Sequence, residues 1–140
     1  MDLMSMTFDE LNSVCLDIGE KRFRAGQIYE WLHVKLVSDY DDMTNLSKSL
    51  RERLKRDYPL PVFKEVKRLE SKIDGTMKFL FELGDGNIIE SVMMRYKHGN
   101  SVCVSSQVGC RMGCRFCAST LDGLIRNLTP SEMLMQVYEI

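Results

Sequence analysis

The chain has 140 residues, 44% hydrophobic and 28% charged, with 19 Lys and Arg against 20 Asp and Glu for a formal net charge of −1. That profile excludes wholesale disorder and a globally basic nucleic-acid binder, and it allows one modest hydrophobic core. No apolar run approaches the roughly 18 residues of a membrane span, and the opening MDLMSMTFDE lacks the basic-then-apolar layout of a secretory signal, so the expected location is cytoplasmic. In chain order, Thr7-Phe8-Asp9-Glu10 has the form of a capping box, and Phe8, Leu11, Val14, Cys15 and Ile18 recur at helical spacing until Gly19 stops the pattern. A second helix is expected from about Ala25 to Val34 with Ile28, Trp31 and Leu32 inward. A third runs from about Ser47 to Tyr58 on Leu50 and Leu54 and is ended by Pro59 and Pro61.

After Pro61 the periodicity changes. Segments 62–70, 77–83 and 87–96 are rich in Val, Ile, Phe and Tyr, and Asp74-Gly75 and Asp85-Gly86 are tight-turn signals between them, which together read as an antiparallel meander. His98-Gly99-Asn100 makes a further turn, and Ser101 to Ser105 is a short strand. Thr129-Pro130-Ser131-Glu132 combines a cap, a first-turn proline and a capping-box acid, so a helix begins there and is expected to run to Ile140. The fold class is α+β, divided as a helical unit over 1–60, a strand meander over 61–100 and a cysteine-bearing segment over 101–140.

The cysteines carry the chemistry. There are five, four of them beyond residue 102, and an odd, clustered set without an export signal favours metal or redox chemistry over disulfides. Gly109-Cys110-Arg111-Met112-Gly113-Cys114-Arg115-Phe116-Cys117 is a C-x3-C-x2-C run. A structural zinc site takes four ligands as two separated pairs, and a ferredoxin-type cluster binds a thiolate at every iron. Three thiolates on a four-iron cluster leave one iron open for a substrate to coordinate, and the glycines at 109 and 113 let the backbone bend around an inorganic core. A zinc-stabilised, non-catalytic RNA-binding module is the competing reading of the same cysteines. Cys15 and Trp31 sit at helix-core positions, Met93 and Met94 read as packing, and His33 and His98 lack metal-ligand spacing.

The spacing resembles the signature of the radical S-adenosylmethionine superfamily, in which an aromatic precedes the last cysteine, here Phe116. Around it, Asn100-Ser-Val-Cys103-Val-Ser-Ser-Gln107-Val-Gly-Cys110, Cys117-Ala-Ser-Thr120 and Gly123-Leu-Ile-Arg126-Asn-Leu128-Thr closely resemble the dual-specificity RNA methyltransferases. Phe23-Arg24-Ala25-Gly26-Gln27-Ile28 and Asp42-Met43-Thr44-Asn45-Leu46-Ser47 resemble that family's helical accessory domain.

The resemblance implies an enzyme that methylates C2 of adenine in 23S rRNA and tRNA. Its cofactors are a 4Fe-4S cluster on Cys110, Cys114 and Cys117 and S-adenosyl-L-methionine, beside which Phe116 packs. The methyl passes through a methyl-cysteine and a covalent protein–RNA adduct. Glu90 matches the family's proton acceptor and Cys103 its resolving thiol, which ends in a transient disulfide with a C-terminal cysteine. From the residues alone, Glu90 is equally a solvated strand carboxylate, Cys103 a buried strand thiol or a fourth cluster ligand, and Gln107 a substrate-orienting group or a loop tie. Related resistance methylases act at C8 and share the loop, so the regiochemistry stays open.

The resemblance further implies that residues 101–140 begin a partial (β/α) barrel, that an external one-electron reductant is needed, and that the protein is a monomer. A basic rim of Arg95, Lys97, Arg111, Arg115 and Arg126 is expected to meet RNA, and the basic third helix to grip its backbone. No cysteine follows Cys117, so the methyl carrier lies outside these residues and this chain alone is expected not to turn over.

Overall fold

The computed structural model describes residues 2–140 and divides between Pro61 and Val62 into two compact units. No helix among the described residues is long and apolar enough to cross a membrane.

The first unit is helical: α1 (Phe8–Asp17), α2 (Phe23–His33) and α3 (Lys48–Asp57), with 3-10 turns at Leu3–Ser5 and Tyr40–Asp42. The Thr7/Glu10 capping box closes in both directions, and Ser47 caps α3 by accepting from the Leu50 amide. Leu3, Leu11, Ala25, Ile28, Leu32, Met43 and Leu54 are fully buried. Cys15 is buried with them, and burial reinforced by Glu20 pushes its thiol pKa up, which suits packing and not reactivity. Trp31 is half-buried, because its indole N–H donates to Asn45 Oδ1 at 2.6 Å.

The basic stretch on α3 is matched by acids. Lys55 pairs with Asp39 and Asp41, Arg51 with Asp41, Arg53 and Arg56 with Asp57, and Lys48 with Glu52.

The second unit is built on a four-stranded antiparallel sheet in the order β1 (Phe63–Glu70), β2 (Met77–Leu83), β3 (Ile88–Tyr96), β4 (Gly99–Cys103). Its turn glycines Gly75 and Gly86 take φ of 69° and 82°, where a Cβ would be strained. Phe79, Phe81, Leu83, Ile89 and Met93 line the core face and pack with Val108 and Leu128, backed by Met133 and Ile140. Val108 and Leu128 come from the second, two-stranded antiparallel sheet and its exit, β5 (Gln107–Gly109) with β6 (Leu124–Asn127), and Met133 from α4 (Pro130–Tyr138).

Three features differ from the sequence expectation. β4 ends at Cys103 because the backbone of Ser105 is bound by a side chain instead of a strand, and α4 stops at Tyr138. The β5–β6 pair has no local signature, because its short strands are separated by the whole cysteine loop. Every strand pair among the described residues is antiparallel.

Candidate functional site

The cysteine loop leaves and re-enters the fold through a neck made by β5 and β6. Gly109, at φ 72°, lies so close to Gly123 that a Cβ at 109 would run into the Gly123 carbonyl oxygen, and the Cys110 amide donates to that same oxygen at 2.9 Å. Within the loop, Gly113 also takes the left-handed region at φ 67°, and the Cys117 amide donates to the Cys114 carbonyl at 3.1 Å. The Thr120 hydroxyl reaches the carbonyls of Cys114 and Cys117 at 2.9 and 2.8 Å, fastening the second half of the loop to a 3-10 turn at Ala118–Thr120.

All three loop cysteines are free thiols, Cys114 exposed and Cys110 and Cys117 half-buried, and the Met112 amide points at Cys110 Sγ at 3.5 Å. Sulfur donors with a backbone N–H beside one of them are chemistry that iron-sulfur clusters and zinc sites share. No group of three His, Cys, Asp or Glu among the described residues forms a single-ion site. The three thiols suit a thiolate-ligated cluster on donor chemistry alone. Phe116 is 94% exposed at the loop tip, between Arg115, also exposed, and Cys117.

Beside the neck lies an open cleft of about 570 Å³ lined by Glu90, Gln107, Cys110, Ser119, Asp122 and Ile125, among others. Glu90 and Cys110 thus share one cavity. The Glu90 carboxylate pairs with Lys78 Nζ at 2.8 Å, and its main-chain carbonyl accepts from the Ser105 hydroxyl at 2.7 Å. Cys103 pairs across the sheet with Val92, two residues along β3 from Glu90, so Cys103 and Glu90 stand on the same sheet face, opposite the core. Its thiol is exposed. The Gln107 amide donates to Asn127 Oδ1 at 2.8 Å and ties the neck strands together.

Arg126 is enclosed by carboxylates. Its Nε donates to Asp85 at 2.7 Å and its two terminal nitrogens form a fork on Glu132 at 2.8 Å each. The Arg126 guanidinium holds Asp85 and Glu132 below their usual carboxylate range, and those two raise Arg126 in turn. Glu132 also accepts from the Thr129 amide at 2.8 Å, so one arginine links the β2–β3 turn, β6 and the start of α4. Arg95 and Lys97 lie exposed at the far end of β3 and its turn, and Arg111 is exposed on the loop. Sequence reasoning missed Ser105, Asp122 and Gln136, since polar residues in loops and on helix faces carry no periodic or spacing signal.

Residues 1–59 match the family model described as ribosomal RNA large subunit methyltransferase N-terminal domain. Over 140 residues the chain is 62% identical to the probable dual-specificity RNA methyltransferase RlmN of Lachnoclostridium phytofermentans, covering 100% of this chain and 39% of that protein. The protein of the same description from Bacillus subtilis is 55% identical over 138 residues, covering 99% and 38%. A radical SAM methyltransferase from Sphaerobacter thermophilus, solved by crystallography, superposes with a TM-score of 0.88 at 44% identity, over 99% of this chain and 41% of that one. The chain thus spans about two fifths of the length of the relatives it matches.

Proposed function

The chain belongs to the dual-specificity RNA methyltransferase family, and on that premise we propose that it supplies the cluster-binding front of a radical S-adenosylmethionine enzyme that methylates C2 of adenine in 23S rRNA and tRNA in the cytoplasm. The observation that carries this reading is the pinned loop: three free thiols on a strand-bounded neck whose cleft also contains Glu90. Cys110, Cys114 and Cys117 would hold a 4Fe-4S cluster to which S-adenosylmethionine binds. When bound, the cluster supplies the electron that cleaves the sulfonium to a carbon radical, and an external one-electron donor replenishes it. Adenine C2 is a poor nucleophile, so a radical route avoids the high barrier of polar methyl transfer.

Glu90 accepts the proton lost from the base, held ready by the Lys78 ion pair. Cys103, exposed on the same sheet face, resolves the protein–RNA adduct through a transient disulfide with a C-terminal cysteine. Phe116 packs beside the cofactor. Arg95, Lys97, Arg111 and Arg115 form the rim that meets phosphate, while Arg126, already enclosed by Asp85 and Glu132, braces the rim from beneath. With its α3 cations paired, the helical unit contributes shape more than charge.

The test is turnover by the full-length protein, reconstituted anaerobically, with reductant, S-adenosylmethionine and RNA, followed by nuclease digestion and mass spectrometry. The reading expects 2-methyladenosine, abolished by Glu90→Gln. An unmodified RNA together with zinc at one equivalent would replace it with the zinc-module reading.

A further inference from the structure

Gln136 lies on α4, is 0% exposed, and uses every hydrogen-bonding position of its amide. Its oxygen accepts from the Ser91 hydroxyl and from the Ser105 main-chain N–H, each at 2.7 Å. Its nitrogen donates to the Ser105 carbonyl at 2.9 Å and to the Glu132 carbonyl of its own helix at 3.1 Å. One side chain thus replaces a strand partner for Ser105, satisfying both its backbone groups at the point where β4 has left the sheet.

The placement matters because of what flanks the held residues. Ser91 follows Glu90 directly, and the Ser105 hydroxyl donates to the Glu90 carbonyl at 2.7 Å, so Glu90 is fixed from both sides by groups that Gln136 binds. Ser105 also lies between Cys103 and the neck that begins at Gln107. A buried amide with four partners costs more to leave half-satisfied than to omit, so its bonds hold a single arrangement.

We propose that Gln136 is a positioning residue: it fixes the strand bearing Glu90 relative to the segment that runs from Cys103 into the cysteine loop. The proposal rests on the function given above for Glu90 and Cys103, although the bracing itself is independent of it. Without Gln136 the two groups drift apart while Cys110, Cys114 and Cys117 keep their own neck. The steps that need Glu90 and Cys103 together should therefore fail before cleavage of S-adenosylmethionine does, since misplacement by an ångström is enough to stall a positioned reaction.

Two readouts on the full-length protein test this with Gln136→Leu, which keeps the bulk and removes the polar ends. The first is amide hydrogen exchange, needing no activity. Residues 104–107 should exchange faster in the variant while 77–83 stay unchanged. The second is the ratio of 5′-deoxyadenosine formed to adenine methylated, which should rise by about tenfold or more. A general loss of structure would lower both products together and leave the ratio where it was.

Ser105→Ala, which deletes only the bond to the Glu90 carbonyl, should raise the ratio in the same direction by less, and it carries both readouts if Gln136→Leu does not fold. Unchanged exchange at 104–107, or altered exchange with an unchanged ratio, overturns the proposal. A wild-type protein that cleaves no S-adenosylmethionine overturns the assigned function instead, and the exchange result still decides the bracing.

Discussion

In the helical unit a fully buried set that includes Leu3, Leu11, Ile28, Leu32 and Leu54 forms a core and the exposed cations of α3 each face a carboxylate, whereas between Cys110 and Asp122 no apolar side chain is buried. There Met112, Phe116 and Leu121 are 76, 94 and 81% exposed, and the backbone is held by a glycine neck and one threonine hydroxyl instead of by burial. The helical unit has a shape because it hides its own side chains. The loop has one because its two ends are pinned at the Gly109–Gly123 neck and its second half is tied by the Thr120 hydroxyl. The two regions should therefore respond differently to substitution: the helical unit through stability, the loop through metal content.

The largest effect breaks that comparison most cleanly. Alanine at Cys110, Cys114 or Cys117 should abolish iron and sulfide binding by the reconstituted protein while the melting transition of the metal-free protein stays within about 0.5 kcal/mol of wild type. A large drop in metal-free stability would mean that the thiols pack like the buried Cys15. Gly109→Ala is the exception inside the loop region, because the neck is structural. A left-handed backbone costs a Cβ-bearing residue about 1–2 kcal/mol, and the Gly123 carbonyl adds a clash, so denaturant melts should show a loss exceeding that figure together with loss of the cluster.

A smaller change tests the arginine brace beneath the loop. Glu132→Ala removes a charged fork and a helix cap together and should cost about 1.5–3 kcal/mol. The pH dependence has a definite sign. The folded state holds Asp85 and Glu132 below their ordinary values of 3.8 and 4.5, so on acidification the unfolded chain takes up protons first. The brace's contribution is full above about 4.5 and is lost as pH falls through the lower folded values, a slope that Glu132→Gln should flatten in melts between pH 6 and pH 3. Smallest of all, Lys55→Ala in the helical unit should leave the melting transition unchanged within error, because its partners Asp39 and Asp41 are solvent-screened.

The helices and the meander were legible because local rules decide them. The capping boxes at Thr7 and Thr129 and the Asp-Gly turns at 74 and 85 each specify a boundary within a few residues, and the structure follows them. The β5–β6 neck was not legible, since its strands are short and are joined through the cysteine loop, so only the Gly109–Gly123 contact made in three dimensions defines it. Arg126 reads in sequence as one more cation of a basic stretch. Its commitment to Asp85 and Glu132 depends on a turn 41 residues earlier in the chain, a separation no local pattern reports. Gln136 was invisible for the same reason: its partners Ser91 and Ser105 come from other segments.

The central claim is a cluster held by three thiolates with one iron left for S-adenosylmethionine. Anaerobic iron and sulfide quantitation on the full-length protein and its Cys103→Ala variant, with electron paramagnetic resonance before and after adding S-adenosylmethionine, tests it most directly. About four irons and four sulfides per chain are expected in both proteins, with a spectrum that shifts on addition. Loss of the cluster on replacing Cys103, or a spectrum indifferent to S-adenosylmethionine, would contradict it.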